Sequence, residues 1–135
     1  MINLKDIALD TKQIEVEYPG LEGFILQLNH ISKNKSREIL KASEKVTMKS
    51  GRPVSGMDDD KFNELFVEAS ISGWKGLTLA HLDNLMLLNL EGHDLSEEVP
   101  FSIDNGVMLM KNSAAFDEWI NGIVFQIDSF RATKS

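Results

Sequence analysis

The segment ISGWKGLT, residues 71–78, sets a tryptophan between Gly73 and Gly76, where one helical spacing stops and another begins. Upstream, Phe62, Leu65, Phe66, Ala69 and Gly73 recur at the spacing of a helix face. Glycine tolerates positive φ and commonly ends helices. The glycine pair therefore predicts a helix stop. Trp74 then becomes a wide, stiff wedge between two helices, with the backbone passing close beside it. Two roles stay open for Trp74 and Leu77: core packing, or shaping a joint that meets a partner.

Downstream, LTLAHLDNLMLLNLEG, residues 77–92, is the apolar maximum of the chain. On a helix, Leu77, Leu79, Leu82, Leu85, Met86, Leu87, Leu88 and Leu90 would cover most of the circumference. Such a helix is buried on more than one side. It is either the central core helix or one that turns a face toward another molecule. Gly92 ends it.

The rest of the chain reads outward from this pair. Residues 13–28 predict an N-terminal β-hairpin. Ile14, Val16 and Tyr18 alternate with Gln13, Glu15 and Glu17, and Pro19, Gly20 and Gly23 punctuate the connection. Residues 35–48 predict a helix with Ser36 as a cap and Ile39, Leu40, Ser43 and Val46 on its face. KSGRPVSGMDDD predicts a flexible loop near 49–58. Asp58, Asp59 and Asp60 suit a helix cap and first turn better than a metal site. Ser102 caps a short helix carrying Ile103, Val107, Met108 and Met110. Ser113 starts the cleanest helix, with Phe116, Trp119, Ile120, Ile123, Ile127 and Phe130 on one face. The tail RATKS is expected to fray. These elements predict one domain over residues 1–135. Its fold class is mainly α (α+β): an N-terminal β-hairpin packed on a bundle of about four or five helices.

Charge is unevenly placed. Residues 33–52 hold Lys33, Lys35, Arg37, Lys41, Lys45, Lys49 and Arg52 against Glu38 and Glu44, a local charge of +5. The whole chain is −7, so the remainder is −12. The basic segment is either a solvated face or a patch that meets an acidic surface. Nucleic acid is not expected as a partner, because no aromatics interleave the lysines and the remainder repels phosphate. With 42% hydrophobic and 26% charged residues the chain has a globular composition rather than a disordered one. No apolar run reaches the roughly 18 residues of a membrane span. MINLKDIALDTK lacks a basic stretch followed by an apolar core, so no signal peptide is expected.

Catalytic patterns are sparse. Absence of cysteine removes disulfides, thiolate metal sites and thiol catalysis. His30, His81 and His93 are isolated in sequence and form no paired metal motif. The acidic loop holding Glu91, His93, Asp94, Glu97 and Glu98 breaks the calcium-loop pattern. SGWKGLT lacks phosphate-loop spacing, and no GxSxG occurs. No enzyme activity and no cofactor are expected.

Three stretches carry a family resemblance: EVEYPGLEGFILQLNHIS (15–32), FNELFVEASISGWKGLT (62–78) and VPFSIDNGVMLMKNSAAFDEWI (99–120). In order and spacing they resemble the tail assembly chaperones of long, non-contractile-tailed bacteriophages. The resemblance implies a mostly helical, non-enzymatic protein of the infected host's cytoplasm. It implies that the protein coats and solubilises the tape measure protein, helps recruit tail tube subunits and is absent from the virion. A longer frameshifted form, carrying the tube contact, often accompanies the shorter one, and this chain would be the shorter. Self-association into open or spiral arrays is expected. The residues proposed to meet client or neighbouring copy are Trp74, Leu77, Leu82, Leu85, Met86 and Leu88, with Lys41, Lys45 and Arg52 on the basic side. The competing readings are a structural tail component and a small acidic protein-binding regulator.

Overall fold

The computed structural model describes residues 2–9 and 11–131. A short helix α1 (Leu4–Ile7) precedes β1 (Gln13–Glu17) and β2 (Ile25–Asn29), which pair antiparallel with Val16 opposite Leu26 and Ile14 opposite Leu28. Strand periodicity sends Leu26 and Leu28 to one face, where both are fully buried. A hairpin alone is marginal, so this face needs a third strand and a cover.

The third strand comes from ISGWKGLT itself. Helix α3 (Asp59–Ser70) is capped by Asp58, whose carboxylate accepts the Lys61 N–H at 3.1 Å. It runs without a glycine stop into β5 (Ile71–Lys75), which pairs with β2 to give the antiparallel order β1-β2-β5. Two effects end the helix at Ser70. The Ser70 hydroxyl donates to the Phe66 carbonyl at 2.6 Å, a back-bond that weakens helix continuation. Ile71, Ser72, Gly73 and Trp74 are weak helix formers, whereas Ile and Trp suit a strand. The pairing shifts register between Gln27 and Leu28, leaving Ser72 as a bulge between Gly73 and Ile71. The Ser72 hydroxyl accepts from Gln13 Nε2 at 2.8 Å and Asn29 Nδ2 at 2.9 Å, tying all three strands at the bulge.

Gly76 follows at φ +75°, and a Cβ placed there would lie 2.0 Å from the Gly23 carbonyl oxygen. The β1–β2 connection crosses the end of β5 at backbone contact, which only glycine permits.

Helices cover the sheet's apolar face. Phe66 and Val67 of α3, Leu109 and Met110 of α5 (Ile103–Asn112), and Phe116, Ile120 and Val124 of α6 (Ala114–Val124) form one core with Leu26, Leu28 and Ile71. Ser113 alone separates α5 from α6. It closes the first by its N–H to Leu109 and caps the second by accepting the Phe116 N–H. Gly106 lets α5 approach α3: a Cβ there would sit 2.6 Å from Val67 Cγ1. Tyr18 stacks on Phe24 and Phe116 and meets Trp119 edge-on at 4.6 Å. α2 (Lys33–Ala42) buries Ile39 and lies against α3.

Several expectations are corrected. Among the described residues, 43% are helical and 22% lie in strands, with six α-helices and two small sheets, so the fold is α+β. It is not a hairpin on a helical bundle. The N-terminal hairpin forms, but as two strands of three. The helix expected over 35–48 is α2, capped by Ser32 rather than Ser36, and it stops at Ala42. Residues 44–49 are strand β3 (Glu44–Lys49), paired with β4 (Arg52–Met57) where a loop was expected. The β-branched and alternating side chains of EKVTMK favour a strand once a Ser50-Gly51 turn brings a partner alongside. The leucine-rich helix shrinks to α4 (Leu79–Asp83). Beyond it the Asn84 amide donates back to Ala80, and residues 85–90 run irregularly. Ile127 and Phe130 lie on a 3-10 turn beyond α6 rather than on its face. Of the tail RATKS, 132–135 lie outside the described residues.

Gly76→Ala should destabilise the fold by about 3 kcal/mol, from left-handed strain of about 1–2 and overpacking of about 1–3. Urea unfolding followed by tryptophan fluorescence measures it. Burial also pushes the Tyr18 phenol above its ordinary value of 10.0. Folding then favours the neutral phenol. Its contribution to stability is intact below pH about 10 and is lost as pH rises through the folded-state value. Because Tyr18 is the sole tyrosine, ultraviolet titration of phenolate should give a midpoint above that of the unfolded chain.

Candidate functional site

Trp74 lies opposite Leu26 in the sheet, and its ring turns toward the segment leading into α5. It meets Phe24 edge-on at 5.8 Å and Phe101 at 5.0 Å, and its indole Nε1 donates to the Val99 carbonyl at 2.8 Å. A half-buried tryptophan so held has one polar atom satisfied and one edge free. Asn105 Nδ2 donates to the Pro100 carbonyl, fixing the start of α5 against the same turn.

An apolar cavity of about 190 Å³ opens beside this ring. Trp74, Leu77, Leu82, Met86 and Leu88 line it from one side, and Val99, Asn105, Met108 and Leu109 from the other. Leu77 and Leu82 are buried and form its floor, whereas Met108 is exposed. Irregular backbone after α4 makes this possible. It sends Met86 and Leu88 inward to join Leu82 of α4 and leaves Leu87 wholly in water. A second cavity of about 310 Å³ adjoins through shared Leu88 and Val99, and adds Leu79, Leu90, Pro100, His93, Glu97 and Glu98. The two make an apolar strip with carboxylates at one end.

The acidic end is well anchored. Leu79 N–H donates to Glu97, Ala80 N–H to Leu95 and Val99 N–H to Leu77, so the segment 95–99 is strapped to the start of α4. Asp94 accepts the backbone N–H and hydroxyl of Ser96, which hold its carboxyl below the usual range. Glu91, Glu97 and Glu98 remain exposed.

The chain matches no protein-family model, no curated protein and no solved structure.

Five of the six apolar positions singled out in the sequence therefore converge on one cavity. Leu85 packs against the core but does not line it. Lys41, Lys45 and Arg52 sit elsewhere, exposed on α2, β3 and β4. Sequence reading missed Val99, Asn105, Met108 and Leu109. Met108 carried a usable signal: it stands next to Leu109 and Met110, yet a helix cannot bury three successive positions on one face.

The histidines have local duties. His30 Nδ1 is 2.8 Å from the Val124 carbonyl, His81 completes a capping box with Thr78, and His93 lies 3.4 Å from Glu97. Among the described residues, no three His, Asp or Glu side chains gather to hold a metal ion. No helix among them is long and apolar enough to cross a membrane.

Trp74→Ala should cost about 3–5 kcal/mol by opening a cavity between sheet and α5. Leu87→Ser should change stability by no more than about 0.5 kcal/mol. Thermal unfolding of the two variants separates a core wedge from a surface leucine.

Proposed function

We propose that this chain is a phage tail assembly chaperone, made in the cytoplasm of the infected host. It holds the tape measure protein in solution by cradling apolar side chains of that long helical client. It helps recruit tail tube subunits, chiefly through a longer frameshifted form, and stays out of the finished virion. The observation that carries this reading is the apolar strip from Trp74 and Met108 to Leu90, open to water and ending in Glu97 and Glu98. An open apolar strip on a chain of −7 net charge can take up apolar client segments while like charge keeps the loaded complexes apart. The three stretches that resemble the chaperone family supply the client's identity, and two of them bring Trp74, Leu77, Val99, Asn105 and Met108 to the strip. The chain self-associates, and several copies line one client.

Co-expression with the tape measure protein tests the proposal. The client should move from the insoluble to the soluble fraction in a many-to-one complex, and Met108→Asp should reduce the rescue several-fold. Purified virions should contain none of the chain. Presence in virions would make it a structural tail component. A monomer that leaves the client insoluble would make it an acidic regulator.

A further inference from the structure

The hairpin β3–β4 packs chiefly against itself. Its six rungs run from Glu44 opposite Met57 to Lys49 opposite Arg52, closed by Ser50 and Gly51 at positive φ. All twelve strand residues are exposed. It is nevertheless firmly rooted. The Asp58 N–H donates to the Ser43 carbonyl at 2.7 Å, and Ser43 is itself buried, with its hydroxyl on Ile39.

The pairing sorts its side chains. Val46, Met48, Pro53 and Met57 share one face with Glu44 and Ser55, and Val46 and Met48 are 66% and 67% exposed. Lys45, Lys49 and Arg52 occupy the other face with Thr47 and Val54. Among the described residues, none of these three cations forms an ion pair. Two strands with both faces and both outer edges in water are marginal on their own.

We propose that this hairpin is a docking arm whose receptor is the apolar strip of a second copy of the chain. Charge complementarity selects that occupant. At the tip, Met48 and Pro53 stand beside Lys49 and Arg52. The strip offers the matching pair of features: an apolar cavity at Trp74, Met86, Leu88 and Met108, continued by a wall bearing Glu97 and Glu98. Glu98 forms no ion pair among the described residues. End-on entry lets Met48 reach the cavity while Lys49 and Arg52 meet the two carboxylates. Arm and receptor are different surfaces of one chain. The contact is therefore head-to-tail and generates a ring or an open filament rather than a two-fold dimer. This rests on the self-association within the proposed function and assigns its surfaces. It also places subunit contact and client on one strip, so that the arm of a neighbour competes with client for the cavity.

The test uses the purified chain without client, by light scattering across a concentration series. Wild-type mass should rise with concentration. K49E/R52E and E97K/E98K should each weaken association by at least about tenfold, and the four substitutions combined should restore it to within about threefold. The four side chains are exposed, so circular dichroism and melting should stay as in the wild type. K49Q/R52Q, milder, should fall between. Three results overturn the inference: a wild-type monomer at every concentration, an unchanged series for K49E/R52E, or loss with K49E/R52E but not E97K/E98K. The last means that hairpins pair with each other. Client solubility in co-expression is read separately, so failure here leaves the chaperone proposal standing.

Discussion

The contact between Gly76 and the Gly23 carbonyl is the constraint on which the rest of the fold depends. It lets the β1–β2 connection cross the end of β5 at backbone distance. That crossing keeps Trp74 opposite Leu26 and turns a marginal hairpin into a three-stranded sheet. The sheet then offers a continuous apolar face of Leu26, Leu28 and Ile71, which α3, α5 and α6 bury. A side chain at residue 76 would push the connection off β5, and the helices would lose their template.

The same construction positions the candidate site. Trp74 belongs to the sheet, yet its indole is bonded to Val99, in the segment that starts α5. One side chain thus couples two layers, and the space left between them is the cavity. Its floor is core and its rim is solvent, so residues buried in the fold and residues open to water are neighbours on one strip. Leu82 and Leu88 illustrate the gradient, buried and half-buried within a few residues of the fully exposed Leu87.

Charge is sorted by the fold as well as by the sequence. The +5 segment is divided between α2 and a projecting hairpin, while Glu91, Asp94, Glu97 and Glu98 stand exposed at the acidic end of the apolar strip. An exposed hairpin with one apolar and one basic face keeps its edges from indiscriminate pairing by charge, as edge strands commonly do. Its basic tip sets Lys49 and Arg52 beside the apolar side chains of Met48 and Pro53.

Sequence by itself determined the start of three helices, while the cap of α2 fell at Ser32 rather than at the expected Ser36. Asp58, Ser102 and Ser113 cap the helices at which their side chains were expected, because a cap is completed within three residues. The N-terminal hairpin was legible from alternation, and the apolar stretch 77–90 supplies four of the residues that line the cavity, Leu77, Leu82, Met86 and Leu88. Tertiary structure decided the rest. Residues 71–76 have a helical history upstream and two glycines, but the fate of 71–75 was settled by β2 (Ile25–Asn29), far earlier in the chain, whose open edge needed a partner. Residues 44–57 read as helix end and loop, because the cross-strand pairing that makes them a hairpin is invisible to a window along the chain. Beyond α4 the leucine-rich stretch obeyed neither helical nor strand period, since irregular backbone turns Met86 and Leu88 inward and leaves Leu87 in water. Which apolar side chains face water is a property of packing, and packing is long-range.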